Sequence, residues 1–481
     1  MLKYFSSTQD FRFHLKSEKN NLSYDQLHRL DSSSFRSAFH KMWKLDADLV
    51  YDILQPLYSS TGRPAIDPTI LIRSFILMQH LNYLSIDSWC DQLRNDKLLL
   101  YLIGADSPPS SSSHYDFISR LTGIHSHMNE LYPKDHYKKP DKPKPKKNEK
   151  LINYSHTDTY YLFDKYKNGA EADRERMIYT LQLIMNALVV LPSADMGFID
   201  SHNLTLSGDG SSLHIHASQY GHHVILPDDP DKEMYRFTAP NADIGWDSDL
   251  GTYYLGFTLY NISYHNPLKN IDLPVFVSLE KASRHDALST ISCTAQFLDI
   301  CSDLHPAQMC FDSASDSLPI YQYLRSANII PFIDRNKRRT SKEKEDGLKL
   351  TDDDIPICKK GIAMVDYGYD IQRSRRKFRC PFVLSKTDSC PFKDECSKSK
   401  YGKVLYINDG DDIRYGGPVR YRSDAWKKVY NNRTSTERTN NRILNDYHLH
   451  QMKIRGEAKH AFLSIFAAIN IHLDAWVKDI S

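Results

Sequence analysis

A mixed α/β sheet flanked by helices is the fold class this 481-residue sequence predicts. Three observations carry it. The segments 204–209 (LTLSGD), 252–264 and 273–282 are rich in β-branched and aromatic residues and read as successive strands. A helix over about 285–299, a short buried strand at 307–312 (AQMCFD), a helix beginning near Asp316 and a strand at 329–334 then alternate. Three strands followed by that alternation imply a mixed sheet with helices on it.

Residues 1 to about 133 read as helical. Asp67 and Pro68 supply an N-cap and a proline at the first helical position ahead of ILIRSFILMQHLNYL. Ser85 caps IDSWCDQLRND, where Ile86, Trp89 and Leu93 share one apolar face. The run PPSSSS (108–113) reads as a loop, with Ser113 capping HYDFISRL. Short helices with short loops suit a helix-turn-helix DNA binder, and equally a bundle that only packs or dimerises. Residues 134–150 hold eight Lys against three acids and several Pro, which makes them an extended, solvated linker. A helix follows, roughly Glu171 to Leu191. Residues 335–424 break the α/β pattern and read as a basic, cysteine-containing insertion. Helices return over Asp424 to about Tyr447 and over 456–477. The expected organisation is therefore 1–133 helical, 134–150 linker, 151–334 first part of the sheet domain, 335–424 insertion, and 425–481 helices completing that domain.

The bulk numbers are those of an ordinary soluble chain, 41% apolar and 25% charged. A net charge of +2 does not announce a nucleic-acid partner, so any such signal must be local. The first residues lack the apolar core of a signal peptide, and no run approaches 18 apolar residues, so no membrane span is expected. Eight cysteines in this length do not form a secreted disulfide framework, and an intracellular, reducing compartment is the simplest reading.

Two strands end in an aspartate, Asp209 and Asp312, at the sheet edge where ligands gather in α/β proteins. A later helix carries Tyr430, Arg433, Glu437 and Leu444 at offsets of three, four and seven, which is one helical face. Three carboxylates on separate elements suit a pair of Mg²⁺ or Mn²⁺ ions, because hard cations take oxygen ligands and leave room for phosphate and water. Arg433, one turn from Glu437, would hold a DNA phosphate. Spacing alone does not select these three from sixty Asp and Glu, and Arg433 with Glu437 is also a plain surface pair.

These residues resemble the DDE transposases of bacterial insertion sequences, in the branch with a Tyr-x2-Arg-x3-Glu-x6-Lys signature. Here the stretch is Tyr430, Arg433 and Glu437 at the right spacing, with Leu444 where the family has Lys. Arg442 and Lys453 stand nearby as basic substitutes. GRPAIDPTILIRSFILMQHLNYLSIDSWCDQLRND (62–96), SGDGSS around Asp209, DLPVFVSLEKASRHDA (272–287) with CFDSASDS (310–317), and the C-terminal helices are also similar to the family. Asp312, which ends its strand, takes the role of the second aspartate, and Asp316 reads as a helix N-cap. The resemblance implies an RNase H-like core and phosphoryl transfer on DNA. Asp209, Asp312 and Glu437 hold two Mg²⁺ or Mn²⁺ ions, and Tyr430, Arg433 and Arg442 contact DNA. The implied partners are double-stranded element ends and target DNA, with a homodimer in the complex and a cytoplasmic, nucleoid-associated location. A nuclease on the same fold that cuts without joining, and a transposase-derived DNA-binding protein without catalysis, are the alternatives.

Other signals are weaker. Cys358, Cys380, Cys390 and Cys396 are separated by 21, 9 and 5 residues, a set without the tight knuckles of zinc ribbons; structural Zn²⁺ and unligated thiols are both open. His214 and His216 read as ordinary polar strand positions, and Asp286 as a charge favoured by a helix N-terminus. The basic clusters 335–343 and 373–379 are expected to touch DNA phosphates, with solvated loops as the alternative.

Overall fold

Residues with β-branched and aromatic side chains build the central sheet of the computed structural model. The structure describes residues 1–124, 130–137, 154–167, 176–336, 349–385, 390, 392–397, 399–410 and 413–479. Most of the expected linker (138–150), the start of the helix expected from Glu171, and most of the basic cluster 335–343 lie outside the described residues.

In chain order the strands are β1 (Tyr132–Pro133), β2 (Leu204–His214), β3 (His222–Leu226), β4 (Asp229–Arg236), β5 (Asp243–Asp247), β6 (Thr252–Asn266), β7 (Ile271–Lys281), β8 (Pro306–Phe311), β9 (Ile330–Ile333), β10 (Val365–Asp370), β11 (Arg375–Arg379) and β12 (Val404–Asn408). β2, β6 and β7 lie side by side in antiparallel pairing. β8 joins β2 in parallel and β9 joins β8 in parallel. The order β7-β6-β2-β8-β9, with β5 continuing the β7 side of β6, is that of an RNase H-like sheet. The parallel connections run through the helices Asp286–Ile300 and Leu318–Ser326, as parallel strands require.

The helices before the sheet follow their caps. Asp67 accepts from the Thr69 amide ahead of Pro68–His80, and Ser85 accepts from Ser88 ahead of Ile86–Asn95. The helix expected to start after Ser113 begins earlier, at Ser111, because Ser110 is the residue whose hydroxyl takes the Ser113 amide. Asp316 is not an N-cap either. Ser317 precedes the helix, and the Asp316 carboxylate accepts from the Asn336 amide. The helix Glu457–Lys478 packs on β7 and on the helices Ser33–Lys44 and Pro68–His80, so one apolar core runs from Phe11 to Trp476. Lys41, wholly buried, ties these parts with Asp474 at 2.7 Å and Asn470 at 2.9 Å.

Two helical stretches, Met177–Asp195 and Glu457–Lys478, are long and apolar enough to cross a membrane by length and composition. Neither contains an unbroken apolar run of that length, because small and polar residues are interspersed along both. Both lie in the core, with 89% of the second buried inside the fold.

The insertion is less irregular than expected. β10, β11 and β12 form their own antiparallel sheet around Met364, Phe378 and Ile407. A second small sheet, β1-β4-β3, was also not foreseen. Its strands carry His, Asp, Lys and Glu, which mask the β pattern.

Candidate active site

Asp209 lies in the middle of β2, not at its end as the sequence suggests. What ends there is the parallel pairing. β8 runs beside β2 as far as Ser207 opposite Cys310, and β2 then continues to His214 paired only with β6. Asp209 therefore stands just beyond the carboxyl end of β8, and Asp312 follows that end directly. Gly208 permits the tight approach. A Cβ there would meet the Phe311 ring at 2.6 Å and the Tyr260 hydroxyl at 2.9 Å. Asp312 caps the 3-10 turn Ser313–Ser315, its carboxylate accepting from the Ala314 amide at 3.1 Å.

Glu437 comes from a helix laid across the sheet. The segment expected as one helix is Asp424–Tyr430, a 3-10 turn at Asn431–Arg433, Thr434–Asn441 and a π turn through Asp446. The Thr434–Asn441 face against β2 and β6 is small and polar. Ser435 bonds to Ser207 at 2.8 Å and Ser263 at 2.9 Å, and Thr436 donates to Ser207 at 2.7 Å. Asn261 donates to Thr439 at 2.7 Å and to Asn440 at 3.0 Å. Buried hydroxyls need partners, so this zipper fixes both the height and the register of the helix.

Arg433 joins the carboxylates. One guanidinium nitrogen is 2.6 Å from Glu437 and another 3.6 Å from Asp209. Burial and then the neighbouring Asp312 push the Asp209 carboxyl up to about 7, and Arg433 opposes this. Burial also raises Asp312. Asp286, at the start of its helix, faces the same pair. Displacement of solvent by surrounding atoms and the Asp312 charge both push it upward, although its side chain keeps an open face to water. The helix dipole alone had accounted for it in the sequence. The signal for its further role was its place one strand-to-helix turn after β7, which spacing does not single out.

Tyr430 stacks on Trp426 with ring centres 4.2 Å apart, and Arg433 lies over it at 5.9 Å. Arg442 is not brought to the carboxylates. It pairs with Asp474 at 2.6 Å and with Asp446 at 3.8 Å. Leu444 is buried in the core. His214 bonds to Asp247 at 2.8 Å and stacks on Tyr254, and His216 meets the His450 carbonyl, so both have ordinary strand-surface partners. In the insertion, Arg375, Lys377 and Arg379 alternate onto one face over Tyr406 and Tyr367, while Arg376 and Phe378 turn inward.

Among the described residues, no group of three or more His, Cys, Asp or Glu is drawn tightly enough to hold a metal ion. The donor set around Asp209 nonetheless has the chemistry for one. It is built from carboxylate oxygens, with Asp312 near enough to raise Asp209 further after burial, which suits a hard divalent cation.

The sheet order and the acidic groups at the β2/β8 end define an RNase H-like transposase fold. Two family matches agree with that class. The transposase domain family DUF772 matches residues 24–120, over the N-terminal helices, and a transposase DDE domain family matches 357–473. The second match includes Glu437 and the four insertion cysteines but begins after Asp209 and Asp312. Together they support a DDE-type transposase, an enzyme class acting on DNA. No curated protein matches the chain.

Proposed function

We propose that this chain is an insertion-sequence transposase of the Tyr-Arg-Glu branch, which cuts DNA at the element's ends and joins the freed ends to target DNA. The observation that carries it is Arg433 bridging Asp209 and Glu437 while Asp312 presses on Asp209. Asp209, Asp312 and Glu437 would hold Mg²⁺ or Mn²⁺, with Asp286 beside them. Such ions, when bound, supply a deprotonated nucleophile and neutralise charge at phosphorus.

The chain's own groups orient the rest. Water attacks the scissile phosphorus, the P–O3′ bond breaks and the 3′-oxygen leaves as a hydroxyl. That hydroxyl later attacks a target phosphodiester in the same site. Arg433 moves from its carboxylates to a phosphate oxygen, because a guanidinium matches phosphate in charge and geometry. Tyr430, braced on Trp426, lines the approach of the strand. Arg442 braces the helix through Asp474 and is assigned no direct DNA contact. The N-terminal helices recognise the ends, and a homodimer pairs two of them. A cytoplasmic, nucleoid-associated location accompanies this reading.

The test is a strand-cleavage and strand-transfer assay in Mg²⁺ with Asp209→Asn and Glu437→Gln. Both activities are expected to fall by roughly 10³-fold or more, with end binding retained. Full activity in Asp209→Asn overturns the assignment. Cutting without joining by the native chain favours a nuclease.

A further inference from the structure

The insertion has a cohesion problem. Among the described residues, the apolar cluster at its sheet, β10-β11-β12, has three buried side chains, Met364 just before β10, Phe378 and Ile407. A core of that size does not stabilise a separate sheet, and small units of this kind are usually stapled by metal or disulfides.

The four insertion cysteines stand where such a staple is needed. Distant in sequence, Cys358, Cys380, Cys390 and Cys396 line a single cavity beside Phe392 and Met364. The segments carrying them are held by independent contacts. Cys358 sits in a tight turn closed by its amide to the Ile362 carbonyl at 2.8 Å, with Gly361 at φ +79°. Lys360 from that turn pairs with Glu395 at 2.6 Å, beside Cys396 on the next segment. The Cys380 amide donates to the Lys403 carbonyl at 3.1 Å. Gly402 there packs so closely that a Cβ would lie 3.1 Å from the Cys380 Cβ. All four thiols are free, and none is among the wholly buried cysteines of the central core.

We propose that Cys358, Cys380, Cys390 and Cys396 form a four-thiolate structural zinc site that cross-braces the insertion. Four sulfurs satisfy the tetrahedral preference of Zn²⁺ and close the site to substrate. The sulfurs are not gathered at ligand distance, so ion binding draws the Cys390–Cys396 segment inward. Lys360 and Lys403 on the wall offset the charge of four thiolates. The wide spacing hid the site in the sequence because its ligands come from three separate segments rather than two knuckles.

The experiment is metal analysis of the full chain after dialysis against a weak chelator, with cobalt(II) exchange as the second readout. One zinc per chain is expected, and the cobalt form is expected to show the thiolate-to-cobalt charge-transfer absorption of a tetrahedral sulfur site. Cys396→Ser, at an exposed position, is expected to lose the metal, and Cys90→Ser to keep it. Chelator-stripped protein is expected to be cut by protease within 349–410 while the central core stays intact. Zinc well below one per chain overturns the proposal, as does zinc unchanged in Cys396→Ser. So does a disulfide among these four cysteines in the purified chain, or a cobalt spectrum lacking thiolate bands. The native-chain measurements do not depend on whether a variant folds.

Discussion

The central sheet, antiparallel in part, and the insertion sheet, antiparallel throughout, are held in opposite ways. β6 and β7 are buried along almost their whole length and share one continuous apolar core with the helices on either side. The insertion sheet rests on a three-residue core and on charge. Arg376 meets Asp366 at 2.7 Å, Arg335 meets Asp354 at 2.8 Å, and Arg325 on the core helix reaches Asp409 at 3.3 Å. Apolar burial is additive and tolerant, whereas a buried ion pair such as Arg335 with Asp354 gains little net once the desolvation of both charges is counted. The site takes its position from the first kind of structure, and the insertion is attached to it by the second.

The largest expected effect breaks that contrast. Phe276→Ala, in β7, is expected to lower global stability by about 3–5 kcal/mol, read from the urea midpoint. The same change at Phe378 is expected to leave the global transition in place and to expose residues 349–410 to protease. A global loss of the same size in Phe378→Ala would mean that the two sheets fold as one unit.

A smaller effect sharpens the account of the helix over the site. Ser435→Val removes partners from Ser207 and Ser263 in a buried setting, at a cost of about 1–3 kcal/mol. Because the helix carries Glu437, DNA cleavage is expected to fall with it, whereas Thr434→Ala, on the exposed side, is expected to change neither measurement appreciably.

The smallest effect is in pH. The Asp209 carboxyl is raised from 3.8 to about 7 in the folded chain. The folded state then holds a proton that the unfolded state has lost. Its favourable contribution is complete below the unfolded value and disappears as pH rises through about 7. The metal-free chain is expected to lose about 1 kcal/mol of stability between pH 6 and 8 from this group, read as a fall in Tm. Asp209→Asn should flatten that slope, and Mg²⁺ should raise Tm more at pH 8 than at pH 6. A Tm that rises over this range in the native chain, and not in Asp209→Asn, contradicts the crowding of Asp209 and Asp312.

Apolar periodicity and capping made the central architecture legible. The strands β2, β6, β7, β8 and β9 and the helices after Asp67 and Ser85 carry those signals in their own residues. The choice of Asp209, Asp312 and Glu437 rests on the resemblance, since spacing does not separate three carboxylates from sixty. What stayed hidden depends on contacts between distant segments. The Ser207–Ser435 zipper looks like ordinary polar composition until the helix lies on the sheet. β10–β12 read as irregular because their inward positions include Arg376 and their outward ones Tyr367 and Tyr406.

Replacing Mg²⁺ with Fe²⁺ and mapping where ascorbate and peroxide cut the polypeptide tests the convergence of the three carboxylates most directly. The account expects cuts near residues 209, 312 and 437 together, all suppressed by excess Mg²⁺ and all lost in Asp209→Asn. Cuts at one of the three alone, or cuts that Mg²⁺ does not suppress, would contradict it.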